Sequence, residues 1–138
     1  MKKLIPIFLV FSLLAIEPGF AESNNPGAEF MAEHFYAPQL VIKHAREINL
    51  SKKQKDEIKQ SIKELEAASL DINWEMQEHA GDLIELVKQD SVNESEAIAT
   101  ADALMNLETA MKKLQLTLLI RIKNLLTSSQ KRSLEQYR

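Results

Sequence analysis

From Ile58 to Leu86 the positions Ile58, Ile62, Leu65, Ser69, Ile72, Met76, His79, Leu83 and Leu86 alternate by four and three without a break. All but Ser69 and His79 are apolar. A repeat of 3.5 residues is the mark of a helix that lays one stripe against another helix. A second line, Leu70, Trp74, Ile84 and Val87, widens the stripe beyond a single two-helix contact. At 1.5 Å per residue an arm from Lys52 to Lys88 is roughly 55 Å long. That length disfavours a compact globule and predicts an extended hairpin that dimerises. Gly81, a poor helix former, marks a candidate bend.

The partner arm lies further along the same chain. A polar break over residues 89–93 offers two N-caps, Asn93 with Glu96 or Ser91 with Glu94. Beyond it Ala97, Ala101, Leu104, Leu107, Met111, Leu114, Leu118, Ile122 and Leu125 recur at helical spacing. Between Leu114 and Ile122 the pattern thickens with Leu116, Leu119 and Ile120, so this helix needs a second neighbour besides the first arm. Either a short helix from Pro38 to about Asn49 or a second chain would serve.

The two arms are bracketed by one signature used twice: Leu50-Ser51-Lys52-Lys53-Gln54 and Leu126-Thr127-Ser128-Ser129-Gln130. In each, a hydroxyl accepts from a first-turn backbone N–H, and the Gln three residues on reaches back to the N-cap N–H. Each signature therefore starts a helix, the second one running toward Arg138. All strong signals are helical, so the chain is expected to be all-α. Its organisation is a long antiparallel helical hairpin with short flanking helices.

The first residues read as an address. Lys2 and Lys3 precede an apolar run over residues 4–16, and Gly19-Phe20-Ala21 sets small residues where a signal peptidase cuts. The expected division is a signal peptide over 1–21, a flexible lead-in over 22–37 with a helical turn near Phe30–Tyr36, and a helical domain over 38–138. The apolar run is too short for a span of about 20 residues. The mature chain is therefore expected in the periplasm with no membrane span. There is no cysteine, which excludes disulfides, thiolate metal ligands and cysteine nucleophiles. A formal charge of −3 and the absence of a basic run point away from nucleic acid.

Taken together, the two Leu-[Ser/Thr]-x-x-Gln signatures, the hairpin with Val92-Asn93-Glu94 at its turn, and the signal-like start resemble the Spy/CpxP family of periplasmic stress proteins. That family includes ZraP-like and heavy-metal-sensor relatives, and its hallmark is a doubled LTxxQ motif. The first copy here has Ser51 in place of Thr, which keeps the hydroxyl. The resemblance implies a cradle-like helical dimer without enzymatic activity. Its members act as ATP-independent chaperones, or as adaptors and sensors of envelope stress and metals.

The residues themselves offer few alternatives. No nucleophile elbow, phosphate loop or metal-hydrolase spacing is present, so no catalytic residue and no cofactor are expected. The alternative is a heavy-metal sensor or resistance protein binding zinc, nickel or copper. His34 and His44 are its candidate ligands, but ten residues separate them and no His-x-x-x-His pair exists. His79 stands in the heptad seam, where one polar residue commonly sets register. The expected partners are a second copy of the chain and unfolded clients or a periplasmic sensor domain. The candidate dimer or client surface comprises Lys112, Lys113, Leu116, Leu119, Ile120, Arg121 and Lys123. Charge supports a lopsided subunit, because Glu64 to Glu108 holds twelve acids and only Lys88 as a base.

Overall fold

The computed structural model describes residues 26–138, and the expected signal segment lies outside them. Residues 26–34 belong to one compact unit and residues 35–138 to another. The first contributes α1 (Pro26–His34), within the segment read as a lead-in, where the Phe30 and His34 rings meet edge-on at 4.4 Å.

The second unit is mostly helical, with no strand among the described residues. It opens with α2 (Pro38–Lys43), which begins on a proline whose missing N–H is not needed in a first turn. The chain stays coiled to Asn49, the one non-glycine residue with positive φ (52°) among those described. Asn49 donates its N–H to Arg46 O and Leu50 donates to Ala45 O, the paired bonds of a Schellman stop. Asparagine tolerates the left-handed conformation such a stop demands. Two residues later Ser51 caps the next helix, so one helix ends and another begins within three residues.

The arms are α3 (Lys52–Val87, 36 residues) and α4 (Glu94–Leu125, 32 residues). They pack antiparallel, with Asn93 as the N-cap of α4. Every seam position of α3 is buried or half-buried, from Ile58 through Ser69 to Leu86. The second line is not covered: Leu70, Trp74, Ile84 and Val87 are all exposed. On α4, Met111, Leu118 and Ile122 are buried. α5 (Ser128–Glu135) then folds back from a Thr127 cap.

The buried core sits at one end of the hairpin. Tyr36, Val41, Ile48 and Leu50 meet Ile58, Leu118, Ile122, Leu126 and Leu134 there. The segment 36–50 and α5 thus cover α4 around Leu118 and Ile122, while Leu116 and Ile120, which thicken its apolar pattern, stay exposed. Beyond Ser69 and Met111 no side chain of the hairpin is fully buried. Ser69 is 2 % exposed and its Oγ makes no hydrogen bond.

α3 runs through Gly81 as continuous helix, and a Cβ added there would meet nothing within 4 Å. The glycine thus carries only its entropic cost. Gly81→Ala should raise stability by about 0.5–1 kcal/mol. A lower denaturant midpoint for this variant would show that the position needs freedom the helix does not display.

Candidate functional site: paired caps and exposed stripes

Both capping boxes form. Gln54 N donates to Ser51 Oγ at 3.1 Å, while Ser51 N donates to Gln54 Oε1 at 2.9 Å. At the second copy Gln130 N donates to Thr127 Oγ1 at 3.2 Å and Thr127 N donates to Gln130 Oε1 at 2.9 Å. The two boxes then lock together. Gln54 Nε2 donates to Gln130 Oε1 at 2.8 Å and to Leu125 O at 2.6 Å. Gln130 Nε2 returns the bond to Gln54 Oε1 at 3.0 Å and reaches Asn49 O at 3.4 Å.

The arrangement is reciprocal. Each amide spends both donors, one on the other glutamine and one on the carbonyl just before the other motif's leucine. Each amide oxygen accepts from its own N-cap and from the opposite amide. A primary amide has two donors and one oxygen with two lone pairs, so both side chains are fully satisfied. Only Gln has this inventory at this reach; Glu lacks the donors. Leu50 and Leu126 are buried beneath the pair. So are Ile58 and Leu134, each four residues after its glutamine. The repeated unit is thus Leu-[Ser/Thr]-x-x-Gln-x-x-x-[Ile/Leu]. The apolar fourth residue after each Gln was legible in the sequence, whereas the amide pairing was not.

Further contacts fasten the ends of this unit together. Tyr36 donates its hydroxyl to Glu135 Oε1 at 2.7 Å, and burial, followed by that bond, holds the phenol above its usual pKa. Arg138 lies over the Tyr36 ring and donates to Phe35 O at 3.0 Å. No local sequence signal announces these pairs, which lie about a hundred residues apart.

The candidate surface on α4 divides. Lys112, Lys113, Leu116 and Ile120 are exposed and Leu119 is half-buried. Arg121 is engaged within the chain, donating to Glu64 at 2.7 Å. The Arg121 bond is the main reason the Glu64 carboxyl lies below its usual pKa. Lys123 sits over the Phe35 ring at 5.2 Å. An open groove beside Arg121, about 260 Å³, is lined by Ser61, Ala68, Leu114 and Thr117 among others. It gathers no nucleophile–base pair.

Neither candidate metal ligand stands in a ligand set. His34 is exposed, 3.9 Å from Glu33. His44 stacks on Tyr137 with ring centroids 3.8 Å apart, its buried Nδ1 without a hydrogen bond and 4.0 Å from Glu47. Among the described residues no three His, Cys, Asp or Glu side chains converge as metal ligands, and no helix is long and apolar enough to cross a membrane. Compared with known proteins, the chain matches no family model, no curated protein and no solved structure.

Proposed function

We propose that this chain is a periplasmic, ATP-independent chaperone or envelope-stress adaptor, working as a homodimer that holds unfolded clients or a partner's sensor domain. The observation that carries the reading is the clasped pair of Leu-[Ser/Thr]-x-x-Gln caps. The doubled motif is the hallmark of the Spy/CpxP family that the sequence resembles, and here its two copies meet at the base of a long hairpin. The hairpin also keeps large apolar side chains in water along both arms, a feature of surfaces that bind other chains.

Dimerisation is supported by the outer stripe of α4. Ile98, Met105, Leu116 and Ile120 are exposed along it. Glu94 and Asp102 stand near its start, and Lys112 and Lys113 further on. Two copies laid antiparallel through this stripe oppose acid to base at each end, whereas parallel copies oppose like to like. Individual surface pairs are worth only about 0–1 kcal/mol. Several aligned pairs can still select an orientation that the apolar contacts leave open.

The decisive test is aggregation of a heat-sensitive client with the mature chain present, without nucleotide and with a chelator. Suppression near stoichiometric amounts is the expected result. Failure in chelator, together with activity restored by micromolar zinc, nickel or copper, would replace this reading by the metal-sensing one.

A further inference from the structure

α3 carries a second seam on its outer side. Ala67, Leu70, Trp74, Gln77, Gly81 and Ile84 follow one another by three and four, and none is charged. All six are exposed, with Leu70 at 59 % and Trp74, the chain's single tryptophan, at 63 %. This is the periodicity of a helix-contact surface, repeated on the side of α3 away from α4. It extends over roughly 30 Å of helix. We propose that this outer seam docks one amphipathic helix of a client or partner protein, with lysine or arginine flanking its apolar stripe. The proposal rests on the reading of the chain as a binder of other polypeptides, and it names the class of segment bound.

The flanks of the seam select the occupant. Residues directly after Leu70, Gln77 and Ile84 are Asp71, Glu78 and Glu85, a carboxylate every seven residues. These are the positions whose charges choose partners in paired helices. Glu85 is paired with Lys88 at 2.7 Å at the end of the seam, but between Glu64 and Val87 there is no lysine or arginine to answer Asp71 and Glu78. An antiparallel copy of the same seam would set acid against acid, so this surface is not self-complementary. The α4 stripe differs, because it is flanked by both signs, Glu94 and Asp102 first and Lys112 and Lys113 further on. A foreign helix with basic flanks satisfies the α3 seam in both respects: apolar residues cover Leu70, Trp74 and Ile84, and cations face the carboxylate row. An exposed tryptophan at the centre of such a surface is a common anchor of binding energy.

Because Trp74 is the only tryptophan, its emission reports on this seam alone. The probes are two synthetic three-heptad peptides without aromatic residues, both with leucine in the apolar positions. One carries lysine on its flanks and the other glutamate. Added to the mature chain, the lysine peptide should shift Trp74 emission to the blue, and its affinity should fall as salt rises; the glutamate peptide should do neither. Leu70→Gln together with Ile84→Gln should weaken the lysine peptide at least about tenfold. Helicity should be unchanged, because both side chains are exposed. Unmoved emission, or equal shifts with both peptides, overturns the proposal. A blue shift on raising protein concentration alone also overturns it, by assigning the seam to a second copy. Peptide binding without suppression of client aggregation would sink the chaperone reading and leave the seam standing. Suppression without peptide binding would do the reverse.

Discussion

Gln130→Glu should destabilise the chain by about 3 kcal/mol, more than Thr127→Ala at the same cap, which should cost about 0.5–2 kcal/mol. The comparison separates two roles of one side chain. A carboxylate still accepts the Thr127 N–H, so the capping box survives the substitution. What disappears is the pair of donors that Gln130 sends to Gln54 Oε1 and Asn49 O. Both acceptors then face a carboxylate in a place where Gln130 is only 8 % exposed. Losing a buried hydrogen-bond partner costs about 1–3 kcal/mol; Gln54 Oε1 keeps the Ser51 N–H but now faces a carboxylate, and Asn49 O loses the Gln130 donor. Gln54→Ala and Gln130→Ala should moreover be strongly non-additive. Their double-mutant cycle should return a coupling of roughly 1–3 kcal/mol, the range for residues that share one hydrogen-bond network. Denaturant midpoints for the four proteins of the cycle, with Gln130→Glu beside them, measure all of this. Additive single mutants would mean that the two caps act separately and that the amide pair contributes nothing.

The sequence announced its helices better than their assembly. The arms, the polar break and both N-caps follow from spacing and cap chemistry, which are local, and the structure places them where that chemistry puts them. The stop at Asn49 was also readable, since asparagine before Leu-Ser suits a left-handed turn. Pairing between distant segments has no such signature. Nothing in the sequence says that Gln54 and Gln130 address each other, because a capping box is complete without a second box. Arg121 illustrates the same limit. It reads as one of four exposed cations on a candidate interface, yet it is engaged by Glu64 of its own chain. The line Leu70, Trp74, Ile84 and Val87 is the converse case. Its periodicity predicts a stripe wider than a two-helix contact, yet the structure leaves all four side chains exposed, and no periodicity reveals what element would cover them.

Charge and burial are divided along the same axis of the hairpin. The end that holds the clasp has the buried core and most of the lysines, while the far half has exposed apolar stripes among carboxylates. A chain that binds partners loosely needs both parts. One end must stay folded without the partner, and the other must keep apolar surface available in water at the expense of its own stability. The acidic charges of the far half also work against collapse and self-association through the α3 seam.

That division predicts where stability resides. Leu134→Ala should cost about 2–5 kcal/mol, because Leu134 is 0 % exposed and truncation leaves a cavity beneath the clasp. Leu83→Ala, at a seam position of the far half that is only half-buried, should cost well under half as much. The two leucines lose the same atoms, so the difference measures the environment alone. Hydrogen exchange should follow the same gradient. Amides around Ile58–Ser69 and Met111–Ile122 open only with the whole unit, whereas those of residues 76–87 and 94–104 open at lower free energy by fraying from the turn. Adding a partner that covers the far half should abolish the gradient and leave the clasp end unchanged. Equal costs for Leu134→Ala and Leu83→Ala in the dilute chain, with uniform protection along both arms, would mean that the far half is already as firmly covered as the core.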